Sequence, residues 1–211
     1  MSGREDKRAP GGPDGASDDG LTETRIDSQN LCDGQFLHLR RDTVRLPDGQ
    51  QAVREYVVHP GAVAIVPLLD DGAGGLRVVL ERQFRYPVGR VMIEVPAGKL
   101  DPGEDPWLCA QRELAEETGY RAGEMCKVGA MHLAIAYSTE VIHVYFAKGL
   151  VAGPTRLDQG EFVQTFDAAP NELFSWCREG LVTDAKTLTC AFWLQSWLAG
   201  GWDLPWHRTS D

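Results

Sequence analysis

Three glutamates stand close together in the sequence, at positions Glu113, Glu116 and Glu117. The surrounding residues predict a helix over Pro106–Thr118, with Asp105 as its N-cap and proline at the first helical position. At about 100° per residue, the three carboxylates share one side of this helix, and its apolar residues lie on the other. Such a group is either a solvated acidic face or a site for a hard divalent cation, which prefers oxygen ligands.

The residues around these glutamates favour the cation site. The stretch Gly98–Tyr120 reads GKLDPGEDPWLCAQRELAEETGY. It resembles the Nudix box, in which a glycine, a glutamate, an Arg-Glu pair, a Glu-Glu pair and a second glycine stand at fixed spacings. The matching residues are Gly98, Glu104, Arg112, Glu113, Leu114, Glu116, Glu117, Gly119 and Tyr120. Tyr120 departs from the pattern, because an aliphatic residue is usual there.

The resemblance implies a role for each matching residue. The residues expected to hold the metal are Ala97, through its backbone carbonyl, with Glu113, Glu116 and Glu117. Arg112 and Glu104 are expected to orient these carboxylates, and Glu116 is either a ligand or a further orienting group. The expected cofactor is Mg²⁺, with Mn²⁺ as the other possibility. A cation there neutralises a diphosphate and lowers the pKa of the attacking water.

Segments outside the box are similar to ADP-ribose pyrophosphatases. They are Arg54–Val63, Arg82–Arg85 and Glu94–Gly98. In that subfamily an arginine at the place of Arg85 contacts the diphosphate, and one at the place of Arg54 reaches the substrate. An arginine fork suits phosphate oxygens, although a surface ion pair is the alternative for either residue.

Two further residues complete the substrate-binding candidates. Glu94 precedes the box and either supports the site or is an ordinary carboxylate at a strand end. Gly98, the first residue of the box, is also a substrate-binding candidate, together with Glu94, Arg54 and Arg85.

The loop after the box is expected to supply another carboxylate. Within Leu157–Val163, Glu161 is the first candidate for an extra metal ligand or the general base, and Asp158 is the second. Gln159 stands where some relatives have a catalytic glutamate, and an amide cannot accept a proton at neutral pH. The sequence therefore leaves the identity of the base open.

The charge, the apolar runs and the cysteine content of the chain limit which kinds of partner and location are expected. The chain has 211 residues and a formal net charge of -10, which argues against a nucleic-acid surface. It contains no apolar run of 18 or more residues, so no membrane span is expected. The five cysteines form no C-x-x-C pair, which is typical of reduced thiols in a cytoplasmic protein.

Strand and helix signals alternate along the chain. An apolar run over Ala62–Leu69 predicts a buried central strand, and two helices are predicted near the C-terminal end. The expected fold class is α/β (α+β): a Nudix fold with a mixed β-sheet sandwiched between helices and a small N-terminal antiparallel β piece. We expect a disordered tail over 1–28, a β-rich region over 29–60 that exchanges between the subunits of a homodimer, and a hydrolase domain over 61–205.

The predicted reaction is hydrolysis of ADP-ribose, or a related nucleoside diphosphate sugar, to AMP and ribose 5-phosphate. Many relatives carry Ser-Pro-Gly after the box, whereas this chain has Ala136-Tyr137-Ser138 there, which weakens the ADP-ribose assignment. One alternative is another nucleoside diphosphate derivative, such as GDP-mannose or a dinucleotide. An alternative of a different class is a non-catalytic regulator that binds ADP-ribose.

Overall fold

The structure is a computed structural model and describes residues 17–209. These residues form two compact units, one ending at Val58 and the other beginning at His59.

The N-terminal unit is a three-stranded antiparallel sheet in the order β1-β2-β3. Its strands are β1 (Thr24–Asp33), β2 (His38–Arg45) and β3 (Gln51–Val58), and a short 3₁₀ helix over Asp18–Gly20 precedes them. The turn between β2 and β3 contains Pro47-Asp48-Gly49, a sequence typical of turns, and the Asp48 carboxylate accepts a hydrogen bond from the Gln50 N–H at 2.9 Å. The predicted small antiparallel piece is confirmed.

The boundary of the predicted tail differs from the structure. Strand β1 begins at Thr24, so residues 24–28 belong to a strand rather than to a disordered segment. Every residue of β1 is exposed, and its polar sequence carries little apolar signal. The strand forms instead through backbone pairing with β2, and the sequence of the segment itself does not indicate that pairing. The first 16 positions of the predicted tail lie outside the described residues.

The second unit is built on an eight-stranded sheet flanked by helices. In chain order its elements are β4 (Ala62–Asp70), β5 (Leu76–Arg85), β6 (Arg90–Glu94), β7 (Ala97–Lys99), α1 (Pro106–Thr118), β8 (Tyr120–Arg121), β9 (Glu124–Met131), β10 (Ile142–Lys148), β11 (Val151–Ala152), β12 (Val163–Ala168), α2 (Pro170–Glu179), α3 (Ala185–Leu198) and β13 (His207–Arg208). A 3₁₀ helix over Tyr86–Val88 links β5 to β6.

The sheet of the second unit is mixed. Its order is β12-β5-β4-β10-β9-β13, with β6 beside β5 and β7 beside β4. Strand β10 runs parallel to β4, and the other pairs in the sheet are antiparallel. Strands β8 and β11 form a separate two-stranded ladder.

Strand β4 is buried on both faces, as its continuous apolar run predicts. Val63 and Ile65 belong to a core cluster with residues of α1. Ala64 and Val66 belong to a second cluster, with residues of α2 and α3. Because successive side chains of a strand point to opposite faces, α1 covers one face of the sheet and α2 and α3 cover the other. The predicted mixed sheet between helices is confirmed.

Helix α1 has the predicted bounds because local signals fix both of its ends. The Asp105 carboxylate accepts a hydrogen bond from the Trp107 N–H at 2.8 Å, which satisfies a free N–H of the first turn. At the other end, Gly119 adopts φ 73°, and a Cβ there would lie 2.5 Å from the Gly153 carbonyl oxygen. Between these ends, Ala110 and Leu114 are buried against the sheet.

Within the described part of the chain, none of the helices combines the length and the apolar character needed to cross a membrane.

Candidate active site

Strand β7 passes directly beside the carboxyl group of Glu113. A Cβ atom built on Gly98 of β7 would overlap the Glu113 carboxyl group, so only glycine leaves room for it. Burial raises the pKa of Glu113 above its usual range, and the charges of neighbouring glutamates add to this effect. The first glycine of the box therefore allows the backbone of β7 and a carboxylate of α1 to lie side by side.

Arg112 connects three glutamates of the box. Its Nε and Nη2 donate to the two oxygens of Glu104, each at 2.9 Å. Its Nη1 donates to Glu113 at 2.8 Å and to Glu116 at 3.0 Å. The hydrogen bonds that Arg112 donates lower the pKa of Glu104 to about 2, and the same bonds, with the negative charge of Glu113, raise the pKa of Arg112. One guanidinium thus holds the loop before α1 and two carboxylates of α1 together.

Glu117 is buried where α1 meets β7. Its Oε2 accepts a hydrogen bond from the Ala97 N–H at 3.0 Å, so the backbone of Ala97 lies at this carboxylate. Burial raises the pKa of Glu117, and the negative charges of Glu81 and Glu113 raise it further.

Glu81 of β5 lies in this carboxylate cluster, although it is not among the residues predicted from the sequence. It is 3% exposed, its carboxyl group contacts that of Glu117, and burial raises its pKa. Within residues 17–209, its Oε1 is one of the few buried side-chain oxygens without a hydrogen-bond partner. The signal was available in the sequence, because Glu81 lies on the same face of the strand as the buried Val79.

Arg85 and Lys186 neutralise Glu94. Arg85 donates to both oxygens of Glu94, at 2.7 and 2.8 Å, and Lys186 binds Glu94 as well as Asp184. Burial alone would raise the pKa of Glu94, but these two cations outweigh it and the pKa is lowered.

Lys186 is likewise not among the residues predicted from the sequence. It is buried in the first turn of α3, four residues before the buried Cys190 and eight before the buried Leu194. A lysine on the apolar stripe of a helix is the signal that could have revealed it.

Glu161 lies in the loop before β12 and approaches the same cluster. Its Oε1 accepts a hydrogen bond from the Gln83 amide at 3.4 Å. Beyond burial, its charge contributes to the raised pKa of Glu81 and Glu117.

The structure brings most of the predicted site residues together in the second unit. Linked by these contacts are Ala97, Gly98, Glu104, Arg112, Glu113, Glu116 and Glu117 of the box region, Arg85 and Glu94 beside Lys186, and Glu161 beside Gln83. Arg54 belongs to the N-terminal unit. There its guanidinium forms an ion pair with Glu23, with contacts of 2.9 and 2.5 Å.

The residues present fit a hard divalent cation. Within the described chain, no three His, Cys, Asp or Glu side chains already form a ready metal site, and the box carboxylates are held by Arg112 and by the Ala97 N–H. Three observations nevertheless fit a cation: the candidate donors are all oxygens, Gly98 leaves room for Glu113, and the buried Glu81 has an unsatisfied oxygen. Hard cations such as Mg²⁺ and Mn²⁺ take oxygen donors.

The fold and this site are those of a Nudix hydrolase, and comparison with known proteins agrees. The NUDIX domain model matches residues 58–187, and a model described as the nucleoside diphosphate sugar hydrolase N-terminal domain matches residues 23–57. The chain belongs to the Nudix family, as its box predicted, and Nudix hydrolases generally use divalent metal ions.

Individual relatives cover most of the chain. It is 36% identical to an ADP-ribose pyrophosphatase of Bacillus subtilis, over 83% of this chain and 94% of the relative. It is also 36% identical to a methanol dehydrogenase activator of Bacillus methanolicus, over 82% of this chain and 92% of the relative. A crystal structure of an ADP compounds hydrolase has the same fold, with a TM-score of 0.75 at 21% identity, over 85% of this chain and 95% of that one.

Proposed function

We propose that this Nudix enzyme hydrolyses the diphosphate of ADP-ribose, giving AMP and ribose 5-phosphate. The carboxylate cluster between β5, β7 and α1 is the observation that carries this proposal. The similarity to the ADP-ribose pyrophosphatase of Bacillus subtilis supports the choice of substrate. ADP-ribose carries a diphosphate, and a carboxylate cluster can bind that group only through cations that offset its negative charge.

The cation is proposed to be Mg²⁺, with Mn²⁺ as a substitute. The Ala97 carbonyl, Glu113, Glu116 and Glu117 would hold it. When bound, it neutralises the diphosphate, polarises phosphorus and lowers the pKa of a water molecule. Arg112 sets the positions of Glu113 and Glu116 through its hydrogen bonds at 2.8 and 3.0 Å, while its two bonds to Glu104 fix the guanidinium itself.

Arg85 is proposed to hold the diphosphate. Glu94 takes hydrogen bonds from its Nε and Nη2, which fixes the plane of the guanidinium. The side chain is 42% exposed, so the rest of its five N–H donors can reach a phosphate oxygen from solvent. Glu94 thereby acts as a positioning residue, and Arg54 is proposed as a second arginine that reaches the substrate.

Glu161 is proposed as the general base. Its carboxylate lies on a loop beside the cluster, where the Gln83 amide contacts it, and it can accept the proton of the attacking water. Asp158 is the second candidate, because the Glu161 N–H donates to its carbonyl oxygen at 3.0 Å and the two residues form one turn.

The N-terminal unit is proposed to exchange between the subunits of a homodimer. The match of residues 23–57 to the N-terminal domain of nucleoside diphosphate sugar hydrolases supports a dedicated role for this unit. Light scattering tests the dimer, and a single species of 23.2 kDa would contradict it. A cytoplasmic location is proposed as well, because all five cysteines are free thiols.

A substrate panel tests the reaction. The full chain with Mg²⁺ is offered ADP-ribose, GDP-mannose and a dinucleotide, and ADP-ribose is expected to have the highest kcat/KM. Glu117→Gln should reduce kcat at least about a hundredfold, because it removes a proposed metal ligand. The matched control is Glu179→Gln, at the exposed end of α2, which should retain full activity.

Two outcomes would replace the proposal. Faster turnover of GDP-mannose or of the dinucleotide would change the substrate and leave the chemistry in place. Tight binding of ADP-ribose without release of AMP would instead indicate a non-catalytic regulator.

A further inference from the structure

Two buried carboxyl groups face each other across β5 and α1. Glu81 is 3% exposed and Glu117 is 5% exposed, and their carboxyl groups are in contact. Glu117 accepts a hydrogen bond from the Ala97 N–H, whereas the Oε1 of Glu81 has no partner among the residues the structure describes. A buried oxygen that lacks a partner is destabilising, so a glutamate at this place needs an explanation.

The cationic side chains around this pair are bound to other carboxylates. Arg85 and Lys186 both contact Glu94, and Lys186 also contacts Asp184. Arg112 is bound to Glu104, Glu113 and Glu116. In the part of the chain from 17 to 209, no arginine, lysine or histidine forms an ion pair with Glu81 or Glu117.

Like charges at contact distance in a buried site repel strongly, so this pair needs either a shared proton or a bound cation between its oxygens. A shared proton would still leave the Oε1 of Glu81 without a partner, whereas a cation can bind it. The alternation of β5 fixes the face on which Glu81 lies. Its neighbour Leu80 packs in the core cluster on the face covered by α2 and α3. The side chain of Glu81 therefore points to the opposite face, which α1 and its Glu117 cover.

We propose that Glu81 is an additional ligand of the divalent cation and binds it jointly with Glu117. The inference rests on the proposed function, which places a cation at the carboxylates of α1. It extends the metal site to β5, an element outside the Nudix box, and it explains a charged residue at a buried strand position. Hard cations require several oxygen ligands, and carboxylates from two different elements can supply them from two sides.

Titration with Mn²⁺ alone tests this without any substrate. Binding to the full chain is measured by calorimetry, or by the paramagnetic resonance signal of free Mn²⁺, for the wild type, Glu81→Gln and Glu117→Gln. We expect Glu81→Gln to weaken Mn²⁺ binding at least about tenfold, which is the loss typical even of residues that only support a ligand. The matched control Glu179→Gln should bind like the wild type.

Thermal unfolding gives an independent measurement. In EDTA, Glu81→Gln should unfold at a higher temperature than the wild type, because it removes one of two repelling carboxylates. Adding Mn²⁺ should raise the unfolding temperature of the wild type more than that of Glu81→Gln. Glu81→Met, which has a similar volume and no charge, should repeat both results. If either Glu81 variant fails to fold, the other still provides the comparison.

The outcomes separate this inference from the proposed function. If Glu81→Gln binds Mn²⁺ as tightly as the wild type while Glu117→Gln does not, the Glu81–Glu117 pair shares a proton instead of a cation, and the inference is wrong while the proposed function stands. If Glu117→Gln also binds like the wild type, the cation site of the proposed function is itself wrong. A double variant that carries both Glu81→Gln and Glu117→Gln tests joint binding. Joint binding is supported when the double variant binds Mn²⁺ no more weakly than the weaker-binding of the two single variants.

Discussion

The carboxyl group of Glu113 fills the space that a Cβ atom on Gly98 would occupy. This contact joins the first glycine of the box to its central glutamate, 15 positions apart in the sequence. Gly98 is not among the glycines with positive φ, so its backbone conformation does not require glycine. Glycine is needed there because the backbone and the Glu113 side chain lie so close together. A substitution at Gly98 should therefore act on the position of Glu113 rather than on the folding of β7.

Gly98→Ala tests this relationship. The new methyl group must displace the end of a flexible side chain, so the unfolding temperature should change by only a few degrees. Mn²⁺ affinity and kcat should each fall at least about tenfold, because Glu113 is moved away from β7. Calorimetry, steady-state kinetics and thermal unfolding provide the three measurements.

Gly20→Ala is the matched control for Gly98→Ala, since a Cβ at Gly20 meets no atom within 4 Å. It should leave Mn²⁺ binding unchanged. Wild-type kcat in Gly98→Ala would show that the position of Glu113 does not matter for the reaction.

The parts of the fold that follow local rules could be predicted from the sequence. Helix α1 has the predicted bounds because Asp105 and Gly119 cap it through contacts within a few residues. Strand β4 is continuously apolar, and a strand covered by helices on both faces must be so. Strand β1 lacks such a pattern, because it is exposed along its length and depends on pairing with β2.

The candidate site was predicted where the motif supplies spacing, and missed where only the tertiary structure brings charges together. Glu113 and Glu117 share a helix face, which the sequence specifies. Glu81 and Lys186 come from β5 and α3, and each looks like an ordinary surface charge until the strand or helix face is assigned. Their positions on apolar faces indicate burial, but only the tertiary structure shows which carboxylates each of them meets.

Arg85→Gln should raise the KM for ADP-ribose at least about tenfold. The protein should remain folded, with only a small change in its free energy of unfolding. Arg85 is proposed to contact the diphosphate, whereas Glu94 keeps Lys186 as a partner in the variant. Initial rates over a range of ADP-ribose concentrations provide the measurement. Arg178→Gln, on the exposed side of α2, is the control and should keep the wild-type KM. An unchanged KM in Arg85→Gln would remove Arg85 from the substrate site.

Lys186→Met should lower the free energy of unfolding by about 1–3 kcal/mol, because it removes a charged hydrogen-bond partner from Glu94 and Asp184. The loss stays below that of a fully broken buried ion pair, since Arg85 still binds Glu94. Urea unfolding at pH 7 measures it. Lys127→Met, at an exposed position of β9, should differ from the wild type by less than about 0.5 kcal/mol. Equal values for the two variants would mean that Lys186 has no stabilising role.

Glu104→Gln should destabilise the protein at neutral pH but not in acid. Arg112 lowers the pKa of Glu104 to about 2 in the folded chain, from an ordinary value of 4.5. The folded state therefore favours the ionised form, and below pH 4.5 the unfolded chain binds this proton first. The stabilisation is fully present above pH 4.5 and is lost as the pH falls towards 2.

Urea unfolding in EDTA measures the difference in unfolding free energy between the wild type and Glu104→Gln. At pH 7 the difference should be about 1.5–3 kcal/mol in favour of the wild type, the range for a hydrogen bond to a charged group. It should shrink steadily at pH 4 and pH 3. Because every other titrating group is common to both proteins, subtracting one curve from the other isolates Glu104. A difference that stays constant from pH 7 to pH 3 would show that the introduced amide side chain disturbs packing, and that the ion pair between Glu104 and Arg112 contributes nothing.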